Sequence, residues 1–379
     1  MNSLARERSG RKGFLERDTG NLPPFPIPNT LSSDAKPVRT VDKWCSLTAI
    51  HTPGVTASFP SPGAARSIDM GEQTHIIRRP DQLSIGRTDA EIRQACASGT
   101  WARIHRGAYV DSGHLSRLDA YGRHRLRAEA VACAASPGAT VSHVSAAVLH
   151  GFELWNTPLE VIHLSRNRRG GGRKSARRHV HSTWLADNEI TEVDGLRVTT
   201  PARTVADLAR TLTFEQALVV GNSALHRSRL TKDAVAASLA LSPNHPRHRH
   251  ALHALTAMNS RIESVGESRS LALFLHEHLP LPEPQVDIHD ARGFAGRVDF
   301  LWREQRTIGE FDGRIKYGRL VPAGRSPEDA LWNEKLREDR LRDAGWEVAR
   351  WTWADLSTPS LVASRILAAF ARSRGAVSY

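Results

Sequence analysis

Apolar positions are unevenly spaced along the chain, and their spacing divides it. Residues 1 to about 74 show neither a helical nor a strand period; Pro, Ser, Gly and Thr dominate, with Pro23, Pro24, Pro26 and Pro28 grouped closely. Such a stretch cannot offset its ordering entropy by burial, which predicts a disordered tail, and Met70, just ahead of the first periodic sequence, is a candidate for the true start. From Arg87 the pattern changes. Thr88 is placed to cap a helix over Asp89–Ala97, with Ile92 and Ala95/Cys96 on one face and Ser98-Gly99 ending it. Residues 101–110 then alternate apolar and basic about Gly107, as a small hairpin would. A helix over 120–135, a strand over 159–165 and a helix capped by Thr200 with Pro201 at its first position come next. Residues 214–258 read as helical with a break at Ser242-Pro243. From Ser260 onward the spacing predicts a helix over 260–278, strands over 285–289, 296–302 and 307–313, and a polar turn over 303–306. A helix over 329–344 follows, stopped by Gly345, with Trp332, Leu336, Leu341 and Trp346 expected to face the core. Beyond it Val348, Arg350 and Thr352 alternate with tryptophans, which makes Trp351 and Trp353 strand packing rather than base-stacking platforms.

Composition adds a partner class. The chain has 379 residues, a soft prior for two or three domains, with 52 Lys and Arg against 40 Asp and Glu and a formal net charge of +12. That balance calls for a polyanion, and 45 of the basic residues are arginine, the side chain best shaped for bidentate phosphate contact. Three cysteines, Cys45, Cys96 and Cys133, are too few and too far apart for a disulfide framework. No apolar run reaches a membrane span, and the first residues lack the apolar core of an export signal, so a cytoplasmic protein is expected. Between His163 and His181 lie seven Arg and Lys and no acid, around Gly170-Gly171-Gly172. That segment predicts a flexible basic loop in which Arg168, Arg169, Arg173 and Lys174 contact phosphates without sequence preference. His245, His248, His250 and His253 invite a zinc site, but no Cys or carboxylate accompanies them and Arg247 and Arg249 would repel a cation.

The helix and basic hairpin have the layout of a winged helix-turn-helix. Gly99, Trp101, Arg103, Gly107 and Tyr109 match the wing pattern of the AbiEi-like antitoxins, and the phrases Ser142–Gly151 and Thr199–Leu208 resemble that family's scaffold segments. The resemblance implies a DNA-binding domain at 75–115, with Arg103 and Arg106 on DNA, an α/β region at 116–213 that includes the basic loop, and a helical linker at 214–257.

Chemistry concentrates after residue 258. Asp299 sits inside an apolar strand between Val298 and Phe300, and Glu310 and Asp312 are an i, i+2 pair that a strand points to one face. Carboxylates gathered in an apolar sheet repel one another unless a cation shares them, and oxygen-only ligation favours Mg²⁺ or Mn²⁺. Ser264–Arg269, Arg297–Phe300, Gly309–Gly313 and Asp339–Trp353 together resemble the very-short-patch-repair-like endonucleases of the PD-(D/E)XK superfamily. The resemblance covers 258–370 and implies Glu267, Asp299 and Glu310 as metal-binding acids. One departure matters: Asp312 stands where that superfamily usually has lysine. Lys316 is the preferred substitute for orienting and deprotonating water, with Asp312 holding the metal or orienting Lys316. Lys335 and Arg340 would lie along the scissile strand. The expected whole is an α+β multidomain protein, a winged helix-turn-helix and a linking α/β region followed by a restriction-endonuclease-like sheet flanked by helices. The expected function is Mg²⁺-dependent DNA cleavage in repair or phage defence. The alternative is a non-catalytic antitoxin or repressor that uses the nuclease fold as a binding surface, with a cognate toxin as partner; the oligomeric state is not legible.

Overall fold

The computed structural model describes residues 76–167, 170–313 and 327–376, the side chains of 327–331 and of the last two excepted. The tail 1–74, Arg168, Arg169 and Lys316 fall outside the described residues, and those described all belong to one compact unit, Pro60–Tyr379. The architecture is α+β, with three separate sheets among the described residues.

The first sheet is small. Strand β1 (Ile77–Arg78) leads into α1 (Arg79–Ser84) and α2 (Asp89–Ala97); β2 (Trp101–His105) and β3 (Ala108–Asp111) form a hairpin, and α3 (Ser112–Arg117) follows. Thr88 caps α2 as its spacing predicts: its hydroxyl accepts from the Glu91 amide while the Glu91 carboxylate accepts from the Thr88 amide. The strand order is β1-β3-β2. The hairpin turns at Gly107, whose φ of +73° suits a residue without Cβ. Ile104, Ala108 and Val110 bury against Leu126 and Ala130 of α4 (Ala120–Cys133).

The second sheet contains β4 (Thr140–Val141), β5 (Ile162–Arg166), β6 (Arg173–Lys174), β7 (Arg178–Ser182), β8 (Ile190–Val193) and β9 (Leu196–Thr199), in the order β6-β7-β5-β4-β9-β8. The expectation of a flexible loop over 163–181 is corrected here. Most of that segment is strand: β7 pairs in parallel with β5, placing His163 beside His179 and Ser165 beside His181, and β6 closes back on β7. Pairing with β5 makes Arg178–Ser182 a strand, while the glycines at 170–172 stay outside the strands. Helix α5 (His143–Leu149) packs on this sheet, and α6 (Pro201–Thr211), α7 (Phe214–Arg227), α8 (Lys232–Ala240) and α9 (His248–Ala257) form a helical layer. Thr200 caps α6 with Pro201 in its first turn. This helix is buried along most of its length, including three charged residues: Arg203, Asp207 and Arg210.

The third sheet follows α10 (Val265–His276). It comprises β10 (Glu283–Asp290), β11 (Gly293–Trp302), β12 (Thr307–Asp312) and β13 (Glu347–Thr352), in sequential order, with α11 (Pro327–Asp343) crossing between β12 and β13 and α12 (Pro359–Ala376) at the end. The first two pairings are antiparallel and β12 pairs with β13 in parallel, as the helical crossover requires. On one face Phe300, Trp302, Phe311 and Trp351 bury against Phe274 of α10 and Ile366 and Phe370 of α12. On the other, Val286, Val298 and Ile308 bury against Leu341 of α11. Helix α10 lies so close that a Cβ on Gly266 would fall 2.0 Å from Cε1 of Phe311. Tryptophan 351 is wholly buried, in keeping with a packing role.

The expected core face of α11 is corrected as well. Leu341 is fully buried and Trp346 packs against the same core, but Trp332 is 60% exposed and Leu336 44%. The helix instead turns Arg337 inward, because a buried glutamate on β12 needs a cation above it. Helix α7 meets α10 through polar contacts: Asn222 Nδ2 donates to Ser268 Oγ at 3.1 Å, and Arg269 pairs with Glu215 at 2.6 Å. The same guanidinium lies over the Trp155 ring, which stacks on Trp353. Among the described residues no helix is long and apolar enough to cross a membrane.

Candidate functional site

Glu267 owes its position to the start of α10. Ser264 caps that helix, its hydroxyl accepting from the Glu267 amide at 3.1 Å and donating to Glu267 Oε1 at 2.7 Å, while the Glu263 amide donates to Oε2 at 3.0 Å. A third donor arrives from the sheet: Gln285 Nε2 reaches Glu267 Oε2 at 2.9 Å and makes a longer 3.5 Å contact with Asp299 Oδ1. Gln285 interrupts β10 with φ of +54°, opposite Asp299 between the pairs Pro284↔Phe300 and Val286↔Val298. Asp299 marks the point where β11 and β12 part. The ladder ends at Phe300↔Gly309, and Asp299 Oδ2 accepts from the Phe311 amide at 2.9 Å in place of a main-chain carbonyl. Helix acid and strand acid are thus bridged by one amide group.

Glu310 has other partners. It is buried on β12, with Arg337 Nη2 at 2.6 Å from Oε1 and Arg350 Nη2 at 2.8 Å from Oε2; Arg350 is its neighbour in the β13 register. The same two arginines hold Glu334, each at 2.7 Å, and Arg350 reaches Glu338 at 3.1 Å. Burial works against the charge on Glu334, yet hydrogen bonds from Arg337 and Arg350 hold its carboxyl down at about 2. Arg337 is raised despite its burial, through Glu334 and Glu310. Arg342 also pairs with Glu338, at 2.6 Å, so three guanidinium groups meet three carboxylates under and along α11. Asp312 is half-buried one strand period beyond Glu310, and among the described residues it makes no hydrogen bond or ion pair. The structure thus brings Glu267 and Asp299 together and ties Glu310 to arginines. Among the described residues no trio of carboxylates is drawn together as closely as three histidines elsewhere, discussed below.

The basic candidates divide likewise. Arg103 and Arg106 are exposed and, with Arg78, Arg79 and Asp81, line a concavity of about 800 Å³ between the hairpin, α1 and the end of α4; Arg79 is held there by Asp89 in a two-pronged pair at 2.6 and 2.7 Å. Arg173 and Lys174 are exposed on β6, the edge of the second sheet. Lys335 is exposed on α11. Arg340, expected along a nucleic-acid strand, forms a two-pronged pair with Asp290 at 2.8 and 2.9 Å, which holds that carboxyl at about 2.

Arg337, expected with the other basic residues of α11 along a nucleic-acid strand, instead pairs with Glu310 and Glu334, and nothing in the sequence assigned a task to Gln285, Arg350, Arg78 or Arg79. For Gln285 no local signal exists, since its role depends on strand register. Arg350 stood in the alternation of β13 as a polar position, and only its pairing with Glu310 gives it a task.

No family model matches the chain. It is 27% identical over 288 residues to a protein of Mycobacterium tuberculosis H37Rv described as uncharacterized, Rv2248, a match covering 76% of this chain and 97% of that one. The same figures hold for the uncharacterized protein MT2308 of strain CDC 1551. Among solved structures, the RV2827C protein of Mycobacterium tuberculosis is 14% identical, with a TM-score of 0.33 over 57% of this chain and 83% of that one.

Proposed function

We propose that this protein binds DNA through its basic N-terminal region and cleaves phosphodiester bonds with a divalent cation held at Glu267 and Asp299. The observation that carries the reading is the convergence of those two carboxylates on the single amide of Gln285, where β11 and β12 part. Two acids held that close favour a hard cation between them, and an all-oxygen donor set suits Mg²⁺ or Mn²⁺. A bound ion of this kind would polarise a phosphoryl oxygen and lower the pKa of water. The order helix acid, strand Asp, strand Glu is that of the PD-(D/E)XK nucleases the sequence resembles. In this reading Arg78, Arg103 and Arg106 of the N-terminal concavity, with Arg173 and Lys174, neutralise phosphates and bring the duplex to the acids.

One observation favours the alternative, a DNA-binding repressor or antitoxin without catalysis. Glu310 already carries two guanidinium groups, and Asp312 stands in the lysine position. Supercoiled plasmid incubated with the full chain and Mg²⁺ or Mn²⁺ separates the two. Nicking that is lost in Asp299→Asn and in Glu267→Gln supports the nuclease. Retarded DNA migration with no cleavage in either metal supports the repressor, and cleavage that persists in both variants overturns the proposed site.

A further inference from the structure

The second sheet gathers histidines. His163 on β5 and His181 on β7 lie on neighbouring parallel strands, with His163 Nδ1 2.9 Å from His181 Nε2. His143, the first residue of α5, lies over them in a left-handed conformation with φ of +52°, its ring 3.7 Å from that of His181 and nearly parallel to it. One ring nitrogen from each of the three lies within 4.8 Å of the other two. The His179 ring lies 3.8 Å from that of His181, tilted by 32°.

We propose that His143, His163 and His181 form a binding site for a borderline-soft divalent transition metal of the Zn²⁺ class, independent of the acidic site on the third sheet. A left-handed backbone at a non-glycine residue is a cost that the fold accepts here in order to aim an imidazole at two others. A second observation points to a cation: Asp207, on α6 and 5% exposed, has one carboxylate oxygen with no hydrogen-bond partner among the described residues, and that oxygen lies 4.0 Å from His143 Nδ1. A buried carboxylate oxygen left unpaired is expensive, and beside a metal-binding imidazole it serves as fourth ligand or as the partner that orients the ring. Nitrogens bound to one zinc at about 2.0–2.1 Å in tetrahedral geometry sit about 3.3 Å apart, so the His163–His181 separation needs to open only slightly. The parallel rings of His143 and His181 must turn further to aim at a common point. The nearby charges nearly balance: Arg203 and Arg210 face Asp207, and Arg203 also pairs with Glu189. Imidazole ligation with one carboxylate suits Zn²⁺, Ni²⁺ or Cu²⁺ and disfavours Mg²⁺.

The test is titration of the full chain, stripped with EDTA and dialysed, with ZnCl₂ and separately with CoCl₂. The expected result is one Zn²⁺ per chain by calorimetry, a visible Co²⁺ absorption characteristic of nitrogen ligation, and a higher thermal midpoint in Zn²⁺ than in EDTA. His163→Asn and His181→Asn, each checked for an unfolding transition like that of the parent in EDTA, should lose stoichiometric binding; His276→Asn, on an exposed ring of α10, should keep it. Absence of Zn²⁺ binding by the parent chain overturns the proposal. So does undiminished binding in either folded variant, and MgCl₂ serves as the competitor that should leave the site unchanged.

Discussion

Replacing Arg203 with methionine should unfold the middle of this protein more readily than any surface change. The guanidinium is 1% exposed and makes four contacts: Nε to Asp207 Oδ1 at 2.9 Å, Nη1 to Glu189 Oε2 at 2.6 Å and to the Trp184 carbonyl at 3.1 Å, and Nη2 to the Thr183 hydroxyl at 3.0 Å. Methionine fills similar length without charge, so packing is largely kept and the loss is electrostatic. Two carboxylates would remain in the interior. Asp207 keeps Arg210, at 3.7 Å, and the His143 ring, at 4.0 Å, while Glu189 keeps the Ser238 hydroxyl at 2.7 Å and the Ala186 amide at 3.3 Å. Removing one partner of a buried ion pair costs about 3–5 kcal/mol. That is a large share of the ~5–15 kcal/mol by which proteins exceed their unfolded states. Urea unfolding followed by tryptophan fluorescence should show a lower midpoint at an unchanged slope. The deficit should shrink when Glu189→Met and Asp207→Leu are added, since the triple variant leaves neither acid orphaned. A loss below about 1 kcal/mol in the single variant would refute the reasoning.

Three further outcomes are expected. Gly266→Ala should destabilise by about 1–3 kcal/mol, because its methyl meets the Phe311 ring, and Phe311→Leu should recover part of the loss in a thermal melt. Glu334 has a folded pKa of about 2, below its ordinary 4.5, so its contribution is complete above about pH 4.5 and is lost as pH falls towards about 2. After screening it amounts to about 2 kcal/mol, and acid titration of Glu334→Gln should show a flatter stability profile in that window. Arg103→Ala with Arg106→Ala should weaken DNA binding at low salt and make the log–log salt dependence shallower by about 1.8, a change of about 0.9 per phosphate contact, in fluorescence anisotropy.

The local grammar of this chain was readable where one short segment decides the outcome. Thr88 with Glu91, Thr200 with Pro201, and Gly107 in its turn each act within four residues, and the spans of α2 and the hairpin followed from them. All four strands of the third sheet were visible in the pattern of apolar positions, the last through its alternation with tryptophans. Pairings between distant segments were not. The inward turn of Arg337 depends on Glu310 lying beneath α11, and an apolar stripe read along the helix pointed instead to Trp332 and Leu336. The basic stretch from His163 to His181 looked open because of its three adjacent glycines and its run of like charges, while its strands exist through β5. The site was legible in part for the same reason: Glu267 and Asp299 could be named, but Gln285 between them is a matter of register.

The parallel union of β12 and β13 also has a kinetic side. Until α11 has crossed over and delivered β13, the outer rim of β12 has no strand to bond to, and Glu310 has lost half of its counter-ions. Contacts so distant along the chain form late, because a long loop must close before they repay it. A nascent chain halted before Arg350 would therefore display a sticky, half-finished β-surface, and ribosome-bound or truncated forms ending there should recruit chaperones or aggregate.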